Sequence, residues 1–261
     1  MTGRPTKAPC AICGGSLKVV LDLGAQPLAN ALLEVPGEPC EVFPLRLAEC
    51  SVCQHVQLAD LVPPEKMFGE YVYRTGSSLP AVRHFMEFAE LLAKELPPKP
   101  KVYEIGSGDG TLLRALRPHG VTARGIDPSS AAENVPYTEN CYLDPDCANR
   151  ILRKHGEADA VVLCNVLAHT EDPKGMIENA ARLLKADGWL VIEAPHLACM
   201  IANGDYSAVY HEHGHYFSHR TLRRMTGEQF SGRHIERLQV HGGSLRLWLR
   251  KKATKGIRWR L

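Results

Sequence analysis

The chain has 261 residues, of which 44% are hydrophobic and 23% charged, and its formal net charge is +2. This composition is typical of a globular protein with one large domain or a main domain plus a small one, and it gives no sign of a nucleic-acid partner. No apolar run approaches the roughly 18–20 residues of a membrane helix. The N-terminus has no apolar signal-peptide core, so we expect a cytoplasmic protein without a membrane partner.

Two C-x-x-C motifs lie near the N-terminus, Cys10-Ala-Ile-Cys13 and Cys50-Ser-Val-Cys53. Thiolates at this spacing can bind one zinc ion from two tight turns, and four thiolates leave no open position for chemistry, so we predict a structural zinc. The segment between the motifs is short and rich in Pro and Gly, and it could not build a sizeable core without the metal. The alternative is four reduced, buried cysteines without a metal, and Cys40 and His55 are candidate substitute ligands. Nine cysteines are an odd number in a chain without a secretory signal, which disfavours a disulfide framework.

Met67–Ser78 is predicted to form a linker, with two tyrosines beside a polar Gly-Ser turn. Its aromatic residues suit either a lid over a ligand or a packing contact at a domain seam. His84–Leu96 has apolar residues at helical spacing and stops at Pro97-Pro98, so we expect a helix that leads into the main domain. The predicted domains are a zinc-binding domain at 1–70, a linker and lead-in helix at 71–100, and the main domain at 101–261.

A glycine turn opens the main domain. Val102, Tyr103 and Ile105 favour a strand, glycines follow at 106, 108 and 110, and Thr111–Leu116 begins an amphipathic helix. A strand, a glycine turn and a helix in this order open a Rossmann-like nucleotide site. The spacing is G-x-G-x-G rather than the dinucleotide G-x-G-x-x-G, and Glu104 before the first glycine favours a cationic or hydroxyl-bearing ligand over a pyrophosphate. This combination resembles the S-adenosylmethionine (SAM) loop of class I methyltransferases.

Strands and helices alternate from Lys101 onward, which predicts a mostly parallel sheet covered by helices and hence an α/β fold. The expected strands are Val102–Ile105, Val121–Ile126, Ala160–Cys164 and Trp189–Glu193. The helix after the glycine turn is expected to run to about Arg117, and three further helices are expected at Cys147–His155, Pro173–Leu184 and Thr221–Phe230. A polar, histidine-rich loop is expected over Pro195–Ser218. Two final strands, His234–Val240 and Ser244–Arg250, are predicted to form an antiparallel pair.

Three polar residues are predicted at the carboxyl edge of this sheet, where open α/β sheets bind their ligands. Asp127 ends the second strand about twenty residues after the glycine turn, where a carboxylate can accept hydrogen bonds from both ribose hydroxyls. A helix N-cap is the alternative, which Pro128 would suit. Asn165 and His169 follow the Ala160–Cys164 strand and are expected to line the site, although a lone histidine at such a position is more often structural.

The segment Tyr210–Ser218, here called the histidine segment, holds three histidines, a glutamate and two tyrosines. Its H-x-H spacing can bind zinc or iron, with Glu212 as a third ligand. The segment lacks the H-E-x-x-H spacing of metalloproteases, however, and histidine titrates near neutrality, so acid–base chemistry is the favoured interpretation. A solvated polar loop is the alternative, which the aromatic residues disfavour.

Nine motifs taken in order resemble the zinc-containing sugar C-methyltransferases, which act on thymidine-diphosphate-linked keto-sugars in deoxysugar pathways. The motifs cover nearly the whole chain: C-A-I-C-G-G-S-L, D-L-G-A-Q-P-L-A-N, C-S-V-C-Q-H-V-Q-L, Y-V-Y-R-T-G-S-S, E-I-G-S-G-D-G-T-L-L, G-I-D-P-S, N-V-L-A-H-T-E-D-P, Y-H-E-H-G-H-Y-F-S and H-G-G-S-L-R. The resemblance implies an N-terminal zinc domain, a class I SAM-binding core and methylation of carbon 3 beside a 4-keto group.

The resemblance also assigns roles by position. The zinc ligands would be Cys10, Cys13, Cys50 and Cys53, and SAM would be held by Glu104, Gly106, Gly108, Asp127, Tyr142, Leu143 and Asn165. In the active site, His213 is the expected general base, with Tyr210, Glu212, His169 and a tyrosine of the linker, Tyr73 or else Tyr71. A ketone acidifies the neighbouring C–H, so His213 could remove that proton while Tyr210 or His169 stabilises the enolate.

The chain departs from the family after H-G-G-S-L-R, where family enzymes usually continue into a third, Rossmann-like domain that helps to enclose the sugar nucleotide. We consider a short family member with a different or smaller substrate, a partner chain that supplies the missing wall, and a truncated gene product. The Y-R-T-G-S-S motif is also looser than the usual serine- and threonine-rich form.

Three other classes of function share parts of the pattern. A SAM-dependent O- or N-methyltransferase would use the same core and need the histidines only to deprotonate a hydroxyl or an amine. A zinc-binding module with a degenerate methyltransferase fold would not bind SAM. A dinucleotide-dependent sugar oxidoreductase or epimerase is disfavoured by the G-x-G-x-G spacing, and a Y-x-x-x-K pair is not evident in the core.

Overall fold

The computed structural model describes residues 8–35, 37–68 and 74–253. Within these ranges the chain forms two β-sheets and a set of helices. The strands are β1 (Leu17–Pro27), β2 (Val42–Cys50), β3 (Val56–Leu58), β4 (Lys101–Ile105), β5 (Thr122–Ile126), β6 (Thr138–Glu139), β7 (Ala158–Cys164), β8 (Leu184–Pro195), β9 (His215–Tyr216), β10 (Phe230–Leu238) and β11 (Ser244–Lys251). The helices are α1 (Pro64–Phe68), α2 (Leu79–Glu95), α3 (Thr111–Leu116), α4 (Pro145–His155), α5 (Pro173–Leu183), α6 (Leu197–Asn203) and α7 (His219–Thr226).

The larger sheet has seven strands in the order β10-β11-β8-β7-β4-β5-β6. Strands β4 to β8 run parallel to one another, whereas β11 pairs antiparallel with both β8 and β10. This confirms the predicted α/β fold and the antiparallel pair at its end. The one strand that the pattern missed in this sheet is β6, whose two residues are too few to give a periodic signal.

Helices cover both faces of this sheet, so its central strands are apolar without alternation. Alternate residues of β4 enter two cores: Tyr103 packs with α4, α5 and α7 on one face, and Val102 packs with α2 and α3 on the other. Residues Val161, Val162 and Leu163 of β7 are completely buried. The carboxyl ends of these strands are thereby held rigidly at one edge.

The smaller sheet is antiparallel and has the order β1-β2-β3-β9. Its first three strands come from the N-terminal segment, and β9 comes from the histidine segment, with Val56 opposite Tyr216 and Gln57 opposite His215. Its small core joins Leu45, Leu47 and Leu58 to Met200 and Tyr216 of the later chain. The N-terminal segment therefore does not bury a core alone but shares one with the larger domain.

The predicted loop over Pro195–Ser218 is wrong, since this region contains α6 and β9. The helix α6 has only seven residues and ends at Gly204, whose φ of 64° suits a left-handed C-cap. Pairing with β3 makes β9 a strand, and two residues carry no pattern that a single sequence could reveal.

Two helix boundaries differ from the prediction by four residues or more, and the others by two at most. Helix α2 begins five residues earlier than expected, because the Ser78 side chain accepts a hydrogen bond from the Ala81 amide and Pro80 fits the first turn. Helix α7 ends at Thr226, and the predicted last residue, Phe230, instead begins β10. Its start at Ser218 is fixed by a capping box with Thr221.

The cysteines form no disulfide framework: Cys141 and Cys147 are joined in a local disulfide, and the other seven are free. Within the ranges that the structure covers, none of the helices has the length and apolar character required to cross a membrane.

Candidate active site

A cavity of about 1270 Å³ opens at the carboxyl ends of the parallel strands of the larger sheet. Its walls include all the residues predicted to hold SAM. They also include Tyr210, Glu212 and His213 of the histidine segment, as well as His169. We call the wall formed by Glu104, Gly106, Gly108, Asp127, Tyr142, Leu143 and Asn165 the cofactor side, and the wall formed by Asn30, His169, Tyr210, Glu212 and His213 the acceptor side.

The glycine turn lies between β4 and α3. The backbone at Gly106 has a φ of 70°, and a Cβ there would come within 2.0 Å of the Val166 side chain, so this position requires glycine. At Gly108 the φ is 48°, but a Cβ would meet no atom within 4 Å. Gly110, with a φ of 74°, is the residue before α3. The turn therefore presents bare backbone to the cavity, which allows a ligand to approach closely.

Asp127 is buried at the end of β5 and holds the turns around it. One oxygen accepts hydrogen bonds from the Ser129 amide (2.8 Å) and hydroxyl (2.6 Å), and the other accepts from the Gly108 amide (2.7 Å). A carboxylate offers about four acceptor sites, so about one remains for a ribose hydroxyl, and rotation of the Ser129 hydroxyl would free a second. The N-cap of the 3₁₀ turn that follows is Ser129, not Asp127.

Two buried oxygens of the cofactor side have no hydrogen-bond partner among the residues that the structure describes, Glu104 Oε2 and Asn165 Oδ1. Burial, with Asp127 and Asp109 nearby, holds the pKa of Glu104 well above its usual range. Asn165 has a left-handed φ of 56°, a conformation that asparagine tolerates better than most residues. Buried acceptors without donors fit a ligand that brings hydroxyl and ammonium groups, as SAM does.

The remaining predicted residues of the cofactor side lie between β6 and α4. Tyr142 is half exposed at the cavity, and Leu143 is buried. The Leu143 carbonyl accepts a hydrogen bond from the Asn179 side chain at 3.3 Å. This pair gives the cavity an aromatic and an aliphatic surface of the kind that a purine ring contacts.

His213 is hydrogen-bonded at both ring nitrogens. Nδ1 lies 3.1 Å from the Ala208 carbonyl, and Nε2 lies 2.8 Å from the Tyr210 hydroxyl. Because a carbonyl can only accept, Nδ1 carries the proton, and Nε2 uses its lone pair to accept from Tyr210. Burial, with a smaller effect of His241, lowers the pKa of His213 to about 4, although the Ala208 carbonyl opposes this. The ring is therefore neutral at pH 7, with its basic nitrogen toward Tyr210.

His169 lies edge-on to His213, with 5.0 Å between the ring centroids. Burial and the neighbouring His213 lower the pKa of His169 to about 3, against a hydrogen bond to the Glu212 backbone. The Glu212 side chain is also buried, which raises its pKa, and a hydrogen bond from Asn30 opposes this shift. The fifth predicted active-site residue, Tyr73, and its alternative Tyr71 lie outside the described residues.

The histidines of the histidine segment do not converge on a metal. His211 Nε2 donates to the Phe43 carbonyl (3.2 Å), His213 binds Tyr210 and Ala208, and His215 Nδ1 lies 3.1 Å from His55 Nε2. Among the described residues, the cluster with metal-ligating geometry is the four cysteines. The alternative of a metal bound by the H-x-H spacing and Glu212 therefore has no geometric support.

Sequence reasoning missed several residues of the cavity, chief among them His84, which comes from α2. Its Nε2 lies 2.8 Å from the completely buried carboxylate of Glu193, which also pairs with Arg246. Burial would raise the pKa of Glu193, but the bond with His84 and the charge of Arg246 lower it overall. Asn30 and His241 also line the cavity. Asn30 lies in one of the motifs quoted for the family resemblance, which was the only signal for it.

The four cysteines of the C-x-x-C motifs converge near the smaller sheet. Their sulfurs all lie within 4.8 Å of one another, with 3.6 Å between Cys10 and Cys53 and 3.5 Å between Cys13 and Cys50. Zn–S bonds of about 2.3 Å place tetrahedral sulfurs about 3.8 Å apart, so the cluster fits a zinc ion. Cys40 is exposed, and neither it nor His55 belongs to the cluster.

Two family descriptions match the chain. Residues 81–229, more than half of the chain, match "Methyltransferase domain", and residues 10–68 match "Putative zinc binding domain". The second match contains all four clustered cysteines.

Curated relatives are similar to this chain to different extents. The C-methyltransferase NovU of Streptomyces niveus is 28% identical over 250 residues, which are 90% of this chain and 59% of NovU. The ubiquinone biosynthesis O-methyltransferase of Coxiella burnetii is 33% identical over 95 residues, 34% of this chain and 41% of that enzyme. The chain thus spans less than two thirds of the length of these relatives.

Among solved structures, one chain of the "Complex between the Haloferax volcanii Trm112 methyltransferase activator and the putative methyltransferase" aligns with a TM-score of 0.50 at 14% identity. The alignment covers 68% of this chain and 95% of that one, and it supports the fold alone. With the family matches, the cavity and the cysteine cluster, it leads to one conclusion. The chain belongs to the SAM-dependent methyltransferases, in the group that carries a zinc-binding domain before the methyltransferase domain.

Proposed function

We propose that the protein transfers a methyl group from SAM to a carbon atom beside a ketone, on a nucleotide-linked keto-deoxysugar. The observation that carries this proposal is the Tyr210–His213 pair, in which a neutral imidazole with a defined lone pair lies in the same cavity as the cofactor side. The similarity to a C-methyltransferase over 90% of the chain supports carbon as the acceptor atom.

SAM supplies an electrophilic methyl group on a sulfonium sulfur. In this proposal Asp127 accepts a hydrogen bond from the ribose, and the glycine turn admits the cofactor to close backbone contact. Glu104 and Asn165 offer their unpartnered oxygens to its polar groups, and Tyr142 and Leu143 contact the base. The cofactor side would thereby set the position of the methyl group. Positioning of this kind is a main contribution of a site that joins two bound reactants.

On the acceptor side, His213 Nε2 takes the proton from the carbon beside the ketone, and the C–H electron pair becomes the enolate. Tyr210 must first turn its hydroxyl away from Nε2, and the freed hydroxyl can then donate to the enolate oxygen. The neutral His169 ring has one N–H, and this N–H already donates to the Glu212 backbone, so Tyr210 is the donor that this mechanism uses. Bound SAM would supply the methyl group to the enolate carbon, and its sulfur would keep the electron pair of the broken C–S bond.

Burial has two opposite effects on this base. It keeps His213 unprotonated at neutral pH, so the lone pair is always available, but it also weakens the ring as a base because the imidazolium is poorly solvated. The reaction therefore depends on stabilising the enolate, and Tyr210, which is hydrogen-bonded to His213, is the group placed to do so.

An O-methyltransferase is the second candidate, since His213 could equally accept the proton of a hydroxyl group. The partial similarity to a ubiquinone biosynthesis O-methyltransferase favours it over an N-methyltransferase.

The deciding experiment is mass spectrometry of SAM-dependent methyl transfer across a panel of nucleotide-linked keto-sugars, followed by NMR of the product. A new methyl group on the carbon beside the ketone supports the proposal. A methyl group on oxygen supports the second candidate, and no transfer to any keto-sugar of the panel contradicts both the reaction and the acceptor class.

A further inference from the structure

Residues 10–68, here called the zinc-binding region, contact the histidine segment at several points. Beyond the pairing of β3 with β9, the Leu58 amide donates to the Gly214 carbonyl at 2.8 Å. His211 donates to the Phe43 carbonyl at 3.2 Å. These contacts fix the backbone on both sides of Glu212 and His213, so the acceptor side cannot keep its shape independently of the smaller sheet.

One contact reaches the acceptor side itself. Asn30 lies in the turn after β1, where the Ala31 amide donates to the Leu28 carbonyl and the Leu32 amide donates to the Asn30 carbonyl. Its side-chain Nδ2 donates to Glu212 Oε1, and both residues line the cavity. The two are 182 positions apart in the chain.

Glu212 has little other support. The residue is 4% exposed, and a buried carboxylate without donors is costly, so its hydrogen bonds decide both its charge and its direction. Among the described residues, Asn30 is the side chain that donates to it. The ionisable groups around Glu212 are His211 and His213 on its own segment and His169 from the turn after β7, which bonds the Glu212 backbone.

We propose that Asn30 is a positioning residue of the acceptor site, which aims the Glu212 carboxylate into the cavity to accept a hydrogen bond from a hydroxyl group of the acceptor. The zinc-binding region is then part of the active site rather than a separate module. The inference rests on the proposed methyl transfer and adds to it a requirement for a hydroxyl-bearing acceptor.

The test compares Asn30→Ala with Leu32→Ala, a control in the same turn whose side chain is 78% exposed. A hydrogen bond to a charged group predicts that Asn30→Ala lowers kcat/KM for the acceptor by roughly 10-fold to 100-fold. Zinc content and SAM affinity should stay at wild-type values in both variants. In a Glu212→Ala background, Asn30→Ala should cause little further loss, because the acceptor of the Asn30 hydrogen bond has already been removed.

A second measurement does not depend on turnover. Carbon-13 NMR of labelled glutamate carboxyl groups, with Glu212 assigned by its absence in Glu212→Gln, should show that the pKa of Glu212 rises in Asn30→Ala and not in Leu32→Ala. Asn30→Gln, which keeps the amide, should restore part of both effects.

The proposal is overturned if Asn30→Ala has wild-type kcat/KM, if its effect adds fully to that of Glu212→Ala, or if it loses zinc or SAM affinity, since that assigns Asn30 to the fold. These outcomes are distinct from a failure of the proposed function. In that case the wild-type protein methylates no keto-sugar, while the titration of Glu212 still reports whether Asn30 controls it.

Discussion

The cofactor side and the acceptor side of the cavity are built in different ways. The cofactor side comes mainly from the ends of neighbouring parallel strands, and its main feature, the glycine turn, is one continuous stretch whose amides bond within the turn, to Ile126 of β5 and to Asp127. The acceptor side assembles residues from the zinc-binding region, from the turn after β7 and from the histidine segment. Such a site needs both sheets in place, so the two sides should respond differently to the same perturbation.

The largest expected effect is the loss of His213. His213→Ala removes the ring that we propose as the general base, and such groups contribute roughly 100-fold to 10,000-fold to a rate. We expect methyl transfer and exchange of the substrate proton with solvent to fall by that amount, while SAM affinity measured by calorimetry is unchanged. His234→Ala, which removes an exposed ring bound to Glu236, is the control. Undiminished turnover would remove His213 from the mechanism.

The second largest effect is expected from loss of zinc, which should impair the acceptor side more than the cofactor side. Cys53→Ser breaks the metal cluster, and the β3–β9 pairing then loses its anchor, so methyl transfer should fall by about 100-fold or more. The glycine turn lies in the larger sheet, so SAM affinity should fall far less. Cys40→Ser, at an exposed cysteine outside the cluster, is the matched control. Equal losses of both properties would mean that the sides are not independent.

The difference in how the two sides are built also explains which parts of the site could be predicted from the sequence. The glycine turn, Asp127 and Asn165 are found in the sequence because each directly follows a predicted strand, and the topology then brings them to one edge. The longer helices were recognised because apolar periodicity marks long elements, whereas the short helices α1 and α6 were not. Boundaries set by a single cap, such as Ser78, were missed.

The acceptor side could be predicted only in part. Tyr210, Glu212 and His213 attracted attention by their chemistry, but the strand β9 and the α6 helix did not, because tertiary pairing rather than local preference creates them. Asn30 and His84 lie 182 and 109 residues from their partners Glu212 and Glu193. No local pattern encodes contacts of that range.

A smaller effect is expected on the cofactor side from Gly106→Ala. The new Cβ would meet Val166 at 2.0 Å in a left-handed conformation, so the turn must shift, and SAM affinity should fall by roughly 10-fold to 100-fold. Gly108→Ala has the same left-handed penalty but open space around its Cβ, which makes it the control for strain without a clash. Calorimetric titration with SAM measures both. If the two variants lose affinity equally, the close approach of Val166 has no role.

The smallest expected effect is on the pH dependence of the free energy of unfolding, and it arises from His213 on the acceptor side. The pKa of His213 is about 4 in the folded protein and about 6.5 in an unfolded chain, so between these values the unfolded chain binds more protons. The stability that neutral, buried His213 contributes is therefore fully present above about pH 6.5 and is lost as the pH falls toward 4. Through one such group, the free energy of unfolding changes by up to about 1.4 kcal/mol per pH unit.

Urea denaturation measures this free energy at each pH. As the pH falls over this range, the free energy of unfolding of His213→Gln should decline less steeply than that of wild type, whereas His234→Gln should match wild type. An unchanged slope in His213→Gln would mean that the ring is protonated or solvated in the folded protein, and then the neutral base on which the acceptor side depends would be absent.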